Sequence, residues 1–63
     1  MKTWKIGDTC VLGRTSQVFW TVEHVYHFSD GGQYGLMITR NYGSRIIKKI
    51  VSIGEAIPRK RIN

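Results

Sequence analysis

The chain has 63 residues, with ten Lys and Arg against four Asp and Glu, a formal net charge of +6 and a sequence pI of ≈ 10.0. A stretch of this length holds one domain, close to the lower size at which a core without staples offsets the entropy of folding. Hydrophobic residues at 41% and charged residues at 22% exclude a disordered tail. Cys10 is the sole cysteine, so no intrachain disulfide forms. No apolar h-region opens the chain, and no apolar run approaches the ~18 residues that span a membrane. The cytoplasm is the expected location, without membrane association.

The glycine-containing breaks separate apolar, β-branched runs of similar length, the pattern of several short antiparallel strands. After Lys5-Ile6-Gly7-Asp8, a turn in which Asp8 acts as the cap, residues 9–13 form the first strand. Residues 18–28 form the second, rich in types that favour a pleated surface. Trp20 and Val22 alternate, but the next clear aliphatic is Val25, so the period of two slips at Glu23-His24. A β-bulge there restores the inward phase.

Ser29-Asp30-Gly31-Gly32-Gln33 is a hairpin turn, since Asp favours early turn positions and Gly accepts positive φ. Residues 34–41 return, and Asn41-Tyr42-Gly43-Ser44 turns again. In residues 45–53, Ile46, Ile47, Ile50 and Ile53 also fit a helical stripe. Strand is the expected state, because the run is dense in β-branched residues and the preceding turn needs a partner strand. A 3-10 turn starting near Pro58 and a short closing strand complete the chain.

Taken in order, Lys5-Ile6-Gly7-Asp8-Thr9, Trp20-Thr21-Val22-Glu23-His24-Val25-Tyr26, the Gly-rich hairpin and Ile57-Pro58-Arg59-Lys60-Arg61-Ile62 resemble the small SH3-like barrel modules of bacteria and their phages. Tudor and KOW types belong to that group, and the resemblance covers nearly the whole chain. It implies an all-β fold: a small five-stranded antiparallel SH3-like barrel with a short 3-10 turn before the last strand. It also implies a binding module, since such barrels take RNA, DNA, peptides or other subunits, and fold does not decide among these. The long Ile-rich segment departs from the usual terse module.

One Cys, two His, two Asp and two Glu, with no motif linking them, supply no catalytic constellation, and no enzyme activity is expected. His24 and His27 fall on opposite faces of a strand and Cys10 stands alone, so neither a metal site nor a cofactor is expected. The cations form two groups: Arg40, Arg45, Lys48 and Lys49 around the second hairpin, and Arg59, Lys60 and Arg61 near the end. In a five-stranded barrel the last strand returns close to the first, which would merge them into one patch. Nucleic acid is the favoured partner, held by phosphate contacts from these seven residues, with Tyr42 as the stacking ring between Arg40 and Arg45 and Tyr26 and Tyr34 as further candidates.

Trp20 fills the small core. Trp4 is either a lid over one end of the barrel or an exposed contact residue. The second expectation is a protein-interaction module, phage-encoded and aimed at a host factor or at its own copy, with Trp4, Ile46, Ile47 and Ile50 as the contact surface.

Overall fold

The computed structural model describes residues 3–60, which form a single antiparallel sheet. Its elements are β1 (Thr9–Val11), β2 (Trp20–His27), β3 (Gln33–Tyr42), β4 (Arg45–Ser52), a 3-10 turn (Ile53–Glu55) and β5 (Ile57–Pro58). Their spatial order is β4-β3-β2-β1-β5. The all-β expectation holds, and the Ile-rich run is a strand rather than a helix. The sheet is not closed, however: β5 returns to β1 through Cys10↔Pro58 and Val11↔Ile57, while β4 pairs only with β3. None of the described helices is long and apolar enough to cross a membrane.

Local chemistry explains each joint. Asp8 accepts a bond from the Lys5 backbone N–H at 2.9 Å and closes its turn through Gly7 at φ +97. Asp30 Oδ1 accepts from the Gly32 N–H at 2.9 Å, an Asx turn, with Gly31 at φ +93. The second hairpin is tighter than the sequence suggested, because Asn41 and Tyr42 remain in β3 and only Gly43-Ser44 turns. With φ +62 at Gly43 and no positive φ at Ser44, the backbone follows the type II′ pattern.

The 3-10 turn lies at Ile53–Glu55, not at Pro58. Ser52 and Glu55 form a capping box in which Glu55 Oε1 accepts from both the Ser52 N–H and its hydroxyl at 3.0 Å. Pro58 instead sits in β5, an edge strand, where a missing N–H removes no ladder bond from a central position.

The slip at Glu23-His24 is present: pairing runs Val22↔Ile38 and then His24↔Met37, a bulge that turns both Val22 and Val25 inward. The core is built from Trp4, Cys10, Trp20, Val22, Val25, Leu36, Ile38, Val51 and Ala56. Directly paired residues share a face, so β4 presents Arg45, Ile47, Lys49 and Val51 to the core side and Ile46, Lys48, Ile50 and Ser52 to the other. Full burial of a Leu or Ile such as Leu36 or Ile38 contributes about 1.5–3 kcal/mol.

Candidate nucleic-acid interface

Arg40 sits where the core-side face of β3 runs out into solvent. Leu36 and Ile38 precede it on that face and are fully buried, whereas Tyr42, two residues further, is 63% exposed. The Thr21↔Thr39 register sets Trp20 of β2 beside Arg40. The guanidinium carbon therefore lies 5.6 Å from the Trp20 ring centroid and 5.4 Å from that of Tyr42. At a partly exposed site each such cation–π contact contributes about 0.5–1 kcal/mol. They fix the direction of a side chain that would otherwise sample many rotamers.

Arg45 is the cross-strand partner of Tyr42, and Lys49 follows on the same face of β4 opposite Ile38. Arg40, Tyr42 and Arg45 thus meet at the hairpin end, with Lys49 further along the strand. The Lys49 charge also acts on the Glu55 carboxylate. That carboxyl is held below its usual range, first by the Ser52 backbone N–H, then by the Ser52 hydroxyl, with a smaller contribution from the Lys49 charge. Lys48 points to the opposite face of the sheet, level with Thr39.

Arg45, Lys48 and Lys49 lie on β4, and Arg59 and Lys60 follow β5, at the other edge of the sheet. β4 and β5 are opposite edges with β3, β2 and β1 between them, about 19 Å along the sheet at ~4.8 Å per strand spacing. The Arg59 N–H continues the pairing of β5 with β1, donating to the Thr9 carbonyl. Arg59 is also engaged: its Nη1 donates to the Ser16 carbonyl at 3.0 Å and its Nη2 to the Arg14 carbonyl at 2.9 Å. Its own carbonyl accepts from Thr9 Oγ1 at 2.6 Å. Arg59 is therefore a clamp on the β1–β2 loop. Arg61 lies outside the described residues.

Of the expected protein-contact residues, Trp4 is on the wrong side of the surface. It is 4% exposed and packs in the core, with its backbone N–H and carbonyl bound to the Gln33 side-chain amide at 2.9 and 2.8 Å. It is a buried core residue, not an exposed anchor. Ile47 is turned toward the core, whereas Ile46 and Ile50 are 66% and 68% exposed on the other face. Cys10 is fully buried, and burial pushes its thiol pKa up, which makes it a core residue rather than a nucleophile. Among the described residues, no cluster of three or more His, Cys, Asp or Glu could hold a metal ion.

Two features were not foreseen. On the face away from the core, His24 meets Tyr26 edge-on at 4.6 Å, and Tyr34 packs on Tyr26 at 6.1 Å and on Phe28 at 4.8 Å, while Tyr34 and Phe28 stay 48% and 57% exposed. On the same face, at the other end of β2 and β3, an open cleft of about 390 Å3 is walled by Gln17 and Phe19 of the β1–β2 loop and by Thr21, Thr39 and Asn41. The sequence signal for the cleft was the alternation of Phe19 and Thr21 with the inward-facing Trp20 and Val22. Comparison with protein-family models, with curated proteins and with solved structures finds no match to this chain.

Proposed function

We propose that the chain is a non-enzymatic SH3-like barrel module that binds nucleic acid at the β3–β4 hairpin end. The observation that carries this reading is Arg40 held over Trp20 and over the exposed ring of Tyr42, with Arg45 directly across the ladder. Phosphate oxygens accept from the two guanidinium groups, whose fork geometry suits them. A base stacks on Tyr42, and Lys49 extends the phosphate track along β4. The barrel assignment is supported by the return of β5 to β1, the bulged β2 and the 3-10 turn ahead of the last strand.

The test is binding of labelled single- and double-stranded oligonucleotides across a salt series. Affinity that falls with salt and weakens on Arg40→Ala and on Tyr42→Ala supports the reading, whereas no binding at low salt overturns it. A second reading, a protein interface or homodimer through β4, is favoured by the exposure of Ile46 and Ile50 on an edge strand. Against a homodimer stands the charge of that edge. A symmetric antiparallel pairing about the strand centre sets Lys48 opposite its own copy or Lys49 opposite its own copy, a repulsive arrangement. Light scattering that returns a dimer mass would favour the second reading.

A further inference from the structure

The cleft beside β2 and β3 is chemically unlike the basic hairpin end, although the two share the stretch around Arg40 and Asn41. Its walls combine an aromatic ring, Phe19, with the hydroxyls of Thr21 and Thr39 and the amides of Gln17 and Asn41. Among the described residues, no carboxylate or lysine lines it, and the guanidinium of Arg40, which borders it, is turned to Trp20 and Tyr42. An array of neutral donors and acceptors around a ring matches a flat, neutral, hydrogen-bonding heterocycle better than a metal or a bare phosphate.

Strand register builds this array. Thr9 pairs with Thr21 and Thr21 with Thr39, so three threonines stand in a row across β1, β2 and β3. The Thr9 hydroxyl is committed to the Arg59 carbonyl. The side chains of Gln17, Thr21, Thr39 and Asn41, by contrast, make no hydrogen bond among the described residues. The Asn41 and Gln17 amides are exposed, and each carries both donor and acceptor capacity for the edge of a base. A cleft of about 390 Å3 also falls in the range of ~300–1,000 Å3 of small-molecule pockets.

We infer that this cleft receives the nucleobase of an unpaired nucleotide, so that the module is a single-strand binder. The inference rests on the nucleic-acid reading and narrows it. A base reaches the cleft only if its hydrogen-bonding edge and its ring faces are released from a duplex. Lys48 stands level with Thr39 on the same face, within reach of the phosphate of a nucleotide seated there. The cleft thereby accounts for Lys48, which the phosphate track on the core-side face leaves out.

The experiment is an amide-resolved NMR titration of the full chain with adenosine, with uridine and with ribose 5-phosphate, alongside oligonucleotide binding by the same sample. Shifts at Thr21, Thr39 and Asn41 on addition of a nucleoside but not of ribose 5-phosphate support the cleft. Asn41→Ala, at an exposed position, is expected to weaken those shifts about two- to tenfold while the amide dispersion of the fold is kept. Unmoved cleft amides at millimolar nucleoside overturn the inference, as do equal shifts with ribose 5-phosphate. If oligonucleotides bind with salt dependence while the cleft stays silent, the cleft fails and the basic hairpin end stands. Nucleoside shifts in a protein that holds no oligonucleotide would instead overturn the polymer reading and leave the cleft as a base site.

Discussion

Replacing Arg45 with Ala tests the interface through the salt dependence of binding as well as through affinity. Each phosphate neutralised on a single strand contributes about −0.7 to the slope of log K against log salt. Arg40, Arg45 and Lys49 share one face, and Lys48 on the opposite face makes four. The expected slope is then about −2 to −3, a loss of roughly 20- to 50-fold in affinity between 50 and 200 mM salt. Were all seven expected cations engaged, the slope would be about −5 and the loss close to 10³-fold. Fluorescence anisotropy of a labelled single-stranded oligonucleotide separates these cases. Arg45→Ala should reduce the slope by about 0.7, because it removes one released counterion and touches no core residue. A wild-type slope near −5, or a slope unmoved by Arg45→Ala, would refute the assignment of phosphate contact to the hairpin end.

Other perturbations address the scaffold and its edges. Leu36→Ala empties a fully buried site and should cost about 2–5 kcal/mol, enough to unfold a domain whose core supplies only ~3–5 kcal/mol; circular dichroism melts check this. The Cys10 pKa is raised by burial, so the native state keeps a proton that the unfolded chain releases. That contribution to stability is complete below about pH 8.5 and is lost as pH rises through the raised native value. Urea titrations of wild type and Cys10→Val at increasing alkaline pH should show the loss in the wild type alone. Lys48→Val with Lys49→Val removes the like charges from the β4 edge and should convert a monomer into a dimer or larger species in light scattering; a variant still monomeric at high concentration would show that the lysines do not guard the edge. Arg59→Gln should lower the melting temperature and disturb the amides of the β1–β2 loop while leaving the salt slope of oligonucleotide binding unchanged.

Elements governed by neighbouring residues were legible in the sequence. Asp30-Gly31-Gly32 carries its own turn chemistry, and the break in alternation between Val22 and Val25 marks the bulge directly. The strand state of β4 followed from β-branched density and from the need of β3 for a partner. The 3-10 turn was misplaced because Pro58 drew the reading, although Ser52-Ile53-Gly54-Glu55 already carried the S-x-x-E pattern of a capping box. Trp4 stayed ambiguous because its burial depends on the Gln33 amide, 29 residues away. Whether the sheet closes is likewise decided by how the two edges approach in space, which no local signal encodes. The cleft was missed for a related reason: its walls come from one loop and two strands, and only the register of β1, β2 and β3 lines up their hydroxyls.

Net charge overcounts an interface when a cation has a backbone to hold. Arg59 was grouped with the phosphate contacts because it is basic and lies beside Lys60 and Arg61. Its guanidinium instead spans the carbonyls of Arg14 and Ser16, and the residue after Ser16 is Gln17, which walls the cleft together with Phe19. The Thr9 hydroxyl fastens the Arg59 backbone in turn, at the end of the same threonine row that floors the cleft. A clamped loop sets the cleft before any ligand arrives, which lowers the ordering cost of binding. In the proposed complex Arg59 therefore acts on the base site through the position of the loop, whereas Arg40 and Arg45 are the groups proposed to contact phosphate.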